Sequence, residues 1–163
     1  MGPESDLSDP IKTNKILSKR MKELSERVSK KDASPEIYAL PEKYTGGSYV
    51  FGEPPLKLIN EKVLMLIGAT GAGKTTLLNG IVNYILGVRL EENFRFKIRV
   101  TEANVSQAYS QTNLVTAYTF YPMDGSHLPY PLTIVDTPGF GNTKGIERDR
   151  KIFNQILDFF SSI

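Results

Sequence analysis

Eight consecutive residues, Gly68-Ala69-Thr70-Gly71-Ala72-Gly73-Lys74-Thr75, follow the pattern G-x-x-x-x-G-K-[ST] in full. Glycines let successive backbone N–H groups turn inward on an anion with no Cβ in the way. A helix opening at Lys74 would add its own unpaired N–H groups and the positive end of its dipole. In that arrangement the Lys74 ammonium neutralises the β- and γ-phosphates of a nucleoside triphosphate, and the Thr75 hydroxyl is a ligand for Mg2+. The expected nucleotide-binding stretch runs through Gly68, Ala69, Thr70, Gly71, Ala72, Gly73, Lys74, Thr75 and Thr76.

A second cluster fits the same chemistry. Leu132-Thr133-Ile134-Val135-Asp136-Thr137-Pro138-Gly139 is an apolar run ending in Asp-x-x-Gly. An acidic residue at the carboxyl end of a central strand is where a second Mg2+ partner belongs, and Gly139 would offer its N–H to the γ-phosphate. A switch of this kind also needs a threonine between the two boxes that reaches the metal when the γ-phosphate is present. Thr112, Thr116 and Thr119 are all available, and Thr116 is favoured because a strand begins there. The metal set is therefore Thr75, Asp136 and Thr116, with Lys74 and Thr116 expected to carry catalysis.

These residues need elements to hold them. Val63–Ile67 is five apolar residues in a row, which predicts a strand buried on both faces. Behind the glycine loop, Leu77, Ile81 and Ile85 form one helical row and Leu78, Val82 and Leu86 the next, with Gly87 as the stop. Phe94–Val100 alternates apolar and charged residues, as a half-exposed strand or an irregular insertion would. Val115–Tyr121 and Leu132–Val135 predict two further strands. Ile152, Ile156 and Phe160 make one row of a helix over Ile146–Phe160. At most three core strands are expected, fewer than the five or six such folds use.

Bulk composition narrows the rest. The 163 residues contain no cysteine, so disulfides and thiolate metal sites are excluded. No apolar run approaches the ~20 residues of a membrane span, so a cytosolic protein is expected. The net charge of +2 hides an uneven distribution. Lys12, Lys15, Lys19, Arg20, Lys22, Arg27, Lys30 and Lys31 face only Glu23 and Glu26 within one stretch. Leu17, Met21, Leu24 and Val28 form a helical stripe through it, so Ile11–Val28 reads as a basic amphipathic helix. Such a helix either lies on an anionic membrane through residues 12–31 or pairs with another helix as a coiled coil. Nucleic acid is disfavoured because no aromatics interleave the basic residues. His127, alone in a Pro/Gly loop, reads as a surface residue rather than a general base.

The strings G-A-T-G-A-G-K-T-T and L-T-I-V-D-T-P-G-F-G together resemble the septin-like and immunity-associated (AIG1-type) branch of the translation-factor-related GTPases. The run Asp136–Gly141 is especially similar to septins. The resemblance covers about residues 56–163 and implies a Ras-like α/β P-loop NTPase fold, a three-layer sandwich. It also implies GTP or GDP as ligand, Mg2+ as cofactor, and homo- or hetero-oligomers formed through the G domain. Two departures qualify it. The guanine-reading [NT]-K-x-D box is missing, since Thr143-Lys144-Gly145-Ile146 lacks the aspartate and follows the third box too closely. Phe140 stands where Ras has the glutamine that orients the attacking water, so slow hydrolysis is expected.

The expected organisation is a disordered start with a basic helix over 1–31, a Pro/Gly-rich linker over 32–55, and a G domain over 56–163 that is incomplete at its C-terminus. A short strand at Tyr49–Phe51 is the one element expected in the linker. A Mg2+-dependent GTP-binding switch is the leading expectation. A P-loop ATPase and a non-catalytic assembly or membrane-adaptor module are the alternatives, and the location is cytoplasmic or peripheral at a membrane.

Overall fold

A computed structural model describes residues 10–41, 43–45, 48–56, 60–98, 114–141 and 145–161. Its elements in chain order are α1 (Pro10–Leu24), β1 (Glu26–Arg27), β2 (Glu36–Ala39), β3 (Lys43–Thr45), β4 (Ser48–Phe51), β5 (Lys62–Leu66) and α2 (Lys74–Ile85). They continue with β6 (Phe94–Lys97), β7 (Thr116–Phe120), β8 (Leu132–Asp136) and α3 (Ile146–Ser161). The chain is mixed α/β. Its main sheet has five strands in the order β3-β4-β7-β8-β5, and a second sheet has the order β1-β2-β6.

In the main sheet β5 and β4 run parallel to their neighbours β8 and β7, while β7 and β8 form an antiparallel pair. Parallel neighbours require long connections, and the one from β5 to β8 carries α2. Helix α2 buries Leu78, Val82 and Ile85, one stripe at helical spacing. It stops as the sequence predicts. Gly87 adopts φ +70°, a left-handed position that favours glycine. Its N–H donates to the Tyr84 carbonyl, and that of Val88 to the Asn83 carbonyl, closing a Schellman motif.

The structure differs from the sequence expectations in several places. β5 is exposed at Val63 (51%) and Leu64 (39%) and ends at Leu66, because it is the outer strand of the sheet rather than a central one. Its apolar run records a strand suited to burial, not one buried here. Residues 36–51, expected in a linker, supply strands to both sheets, including β4 where the short strand was expected. The main sheet accordingly holds five strands rather than three. Leu77, placed on an apolar row of α2, is 55% exposed.

Helix α1 is also shorter than expected, ending at Leu24 before Glu26 and Arg27 turn into β1. Leu17 is buried and Met21 packs on the core, so this part of the stripe is spent within the molecule. Leu24 and Val28 remain exposed. Lys22 points inward as well. Its ammonium donates to Glu36 (2.8 Å) and lies 4.9 and 4.8 Å from the ring centroids of Tyr38 and Phe94. Arg27 reaches the same Glu36 carboxylate at 3.1 Å. The Lys22 hydrogen bond, then that of Tyr38, holds the Glu36 carboxyl below its ordinary range, and the same Glu36 bond raises Lys22.

Candidate functional site

The glycine loop joins the carboxyl end of β5 to the first turn of α2. Gly71 and Gly73 take φ values of +81° and +85°, and a Cβ at either would meet nothing within 4 Å. Handedness, not space, demands glycine there. Gly73 is the N-cap of α2 and provides no side-chain cap, and the first turn holds no acidic residue. The leading N–H groups of the helix therefore remain suited to an anion. The Lys74 ammonium donates to the carbonyls of Gly68 (2.9 Å) and Ala69 (3.0 Å), so it folds over the mouth of its own loop. Thr75 is half-buried, and Thr76 is exposed.

The Asp-x-x-Gly segment lies directly on this loop. Ala69 and Phe140 form a parallel bridge, with Phe140 N–H donating to the Gly68 carbonyl (3.3 Å) and Thr70 N–H to the Phe140 carbonyl (3.4 Å). A Cβ on Gly139 would sit 2.5 Å from the Thr70 Cα and N, closer than any real contact. Glycine is needed at 139 so that two loops distant in sequence can touch. Thr137 fastens the same junction from below, its buried hydroxyl donating to the Leu66 carbonyl (2.7 Å).

Asp136 is fully buried at the end of β8. In register it stands opposite Leu66 of β5 on one side and Thr116 of β7 on the other. Directly opposed residues share a face, so the Asp136 carboxylate and Thr116 hydroxyl project to the same side of the sheet. Thr116 is half-buried, and its hydroxyl donates to the Leu114 carbonyl (3.2 Å). Thr119 faces the other way. Its buried hydroxyl shares a hydrogen with Thr133 at 2.8 Å, which is a packing role. Thr112 lies outside the described residues. His127 is exposed, with its ring stacked on Tyr84 at 4.9 Å, far from the loop in sequence.

The residues fit Mg2+ in kind. Among the described residues no three His, Cys, Asp or Glu side chains converge on one point. Magnesium held beside a nucleotide needs no such cage, because one or two protein oxygens, phosphates and waters complete its shell. The hydroxyl of Thr75 and the carboxylate of Asp136 are donors of that kind.

Two asparagines that the sequence did not single out tie α2 to β6 and the residue that follows it. Asn83 on α2 accepts from Phe96 N–H (2.9 Å) and donates to the Phe96 carbonyl (2.8 Å), satisfying the free edge of β6 as a neighbouring strand would. Asn79, one turn nearer the loop, accepts from Ile98 N–H (2.9 Å). Their i, i+4 spacing was the available signal, but exposed helical asparagines give the same pattern.

A family model described as septin matches residues 60–162, from just before β5 to the end of α3. No curated protein and no solved structure gives a significant match. The matched span contains the glycine loop, Asp136 and Gly139, and leaves α1 and β1 to β4 outside it.

Proposed function

The chain belongs to the septin family and carries a septin-like P-loop GTPase domain, and on that premise we propose a Mg2+-dependent GTP-binding switch that hydrolyses slowly. The loop N–H groups from Gly68 to Thr76 and the Lys74 ammonium would hold the phosphates. Thr75 and Asp136 would hold the metal, with Thr116 added in the triphosphate state. The observation that carries this reading is the seam between Ala69-Thr70 and Gly139-Phe140, which brings the two sequence boxes together at the N-terminus of α2. Slow hydrolysis follows from chemistry. Phe140 offers no hydrogen-bonding group to orient a water, so the rate would depend on a residue from elsewhere or from a partner.

The exposed apolar side chains of β5 support a fuller three-layer sandwich in which that edge is covered. Helix α3 exposes Phe153, Leu157 and Phe160, which supports self-assembly through this domain. A second reading is an adaptor at an anionic membrane in the cytoplasm. It draws on Lys19, Arg20, Lys30 and Lys31, all exposed, whereas Lys22 is engaged within the fold.

Titration with fluorescent guanine and adenine nucleotides tests the main reading. Guanine nucleotide should bind in the presence of Mg2+, and Lys74→Ala should remove most of the affinity while the fold persists. Equal binding by the parent and Lys74→Ala would sink it.

A further inference from the structure

The strand that carries Thr116 is held on its outer side by β4, itself backed by β3, and both lie outside the septin match. Strand β4 pairs with β7 in parallel from Ser48↔Ala117 to Phe51↔Phe120, starting one residue beyond Thr116. Strand β3 then pairs antiparallel with β4. Three rings run in sequence across this edge. Tyr44 meets Tyr49 edge-on at 5.1 Å, and Tyr49 stacks on Tyr118 at 5.3 Å with 15° between planes. Phe51 stacks on Phe120 at 4.7 Å.

The register places this ladder beside the proposed metal pair. Thr116, Asp136 and Leu66 form one cross-sheet row. Two residues along each strand, on the same face, comes the row Tyr49, Tyr118, Ile134 and Leu64. Tyr118 and Ile134 are fully buried, so neither row can shift without displacing packed neighbours. A close-packed row next to a ligand residue sets where that residue sits.

We propose that Tyr49 is a positioning residue for nucleotide binding: by stacking on Tyr118 it fixes the start of β7, and so places Thr116 for the triphosphate-bound metal. The proposal rests on the GTP-switch reading above and extends it to a segment outside the family match. Coupling of this kind is reciprocal. Nucleotide that draws Thr116 to the metal tightens β4 on β7, and a docked β4 raises triphosphate affinity without touching the nucleotide. Diphosphate makes no demand on Thr116 and is indifferent to β4.

The test compares the parent protein with Tyr49→Ser, Tyr49→Phe and Lys74→Ala. For each, affinity is measured for a non-hydrolysable GTP analogue with Mg2+ and for GDP. Tyr49→Ser should lose about five-fold or more in triphosphate affinity relative to diphosphate, a typical coupling size. Tyr49→Phe keeps the ring and should match the parent. Lys74→Ala should weaken both ligands. An unchanged triphosphate-to-diphosphate ratio in Tyr49→Ser, with Lys74→Ala still defective, overturns the positioning role and leaves the nucleotide site standing. Full binding by Lys74→Ala overturns both. Should Tyr49→Ser fail to fold, amide exchange of Tyr49, Val50 and Phe51 in the parent decides. Protection should be greater with the Mg2+-triphosphate than with diphosphate, and equal protection overturns the proposal.

Discussion

Asp136 and Gly139 sit three residues apart and contribute in opposite ways, one by what it carries and one by what it lacks. The buried Asp136 carboxylate lies across from Thr116, so its replacement should weaken binding of a metal-bound triphosphate more than of a diphosphate. Asp136→Asn keeps the shape and removes the charge. Its triphosphate affinity should fall at least ten-fold, and EDTA should bring the parent to the same level; an EDTA-insensitive parent would exclude the assigned metal role. Gly139→Ala adds only a methyl group, but the atoms it meets belong to the Thr70 backbone and cannot rotate away. A cost of about 1–3 kcal/mol is expected, as for other overpacked sites. Thermal unfolding of the variant measures this, and an unaltered midpoint would mean that the two loops do not touch. Both residues were legible as a motif in the sequence. The contact that makes Gly139 obligatory was not, because it joins positions 69 residues apart.

Elements show the same division between local and distant information. Helix α2 and strands β7 and β8 were readable because their periodicity, glycine stop and apolar runs lie within the element itself. Of the small sheet only β6 was legible, in the alternation over Phe94–Val100; β2 was not, being four residues long and paired with a strand from a separate part of the chain. The apolar run of β5 was read correctly as a strand, whereas its position at the edge depends on which strands lie beside it. Asn83 was missed for a related reason, since its side chain substitutes for a strand only once β6 is alongside. Removing it strands the N–H and carbonyl of Phe96, a buried residue. Asn83→Ala should therefore cost about 1–3 kcal/mol, the desolvation penalty of orphaned polar groups. Urea denaturation would show it as a lower midpoint at unchanged slope. An unshifted midpoint would mean that β6 does not depend on the helix.

At the scale of the whole molecule, the segment before residue 60 is joined to the matched domain along two sheets, and one charged cluster braces that segment from within. Lys22 and Arg27 converge on Glu36, which ties α1 and β1 to β2. Because Glu36 titrates below its ordinary 4.5 in the folded protein, its contribution is present above that pH. It is lost as pH falls through the lower folded value. Lys22, raised above 10.5, keeps its contribution until pH climbs past the raised value. Thermal midpoints of the parent and Glu36→Gln should thus differ across neutral pH and converge in acid. A constant gap down to the acid limit would show that the cluster is not what responds to pH.

The parallel pairing of β4 with β7 also bears on how the chain is made. Ser48 meets Ala117, a partner synthesised 69 residues later, and β2 likewise waits for β6. At about 5–20 residues per second, translation leaves Tyr49 and Phe51 without Tyr118 and Phe120 for roughly 3–14 s. Throughout that interval β4 can pair with β3, but the β7 strand and the rings it stacks on do not yet exist. Slower decoding between codons 52 and 116 would lengthen the time that this edge waits for its partner.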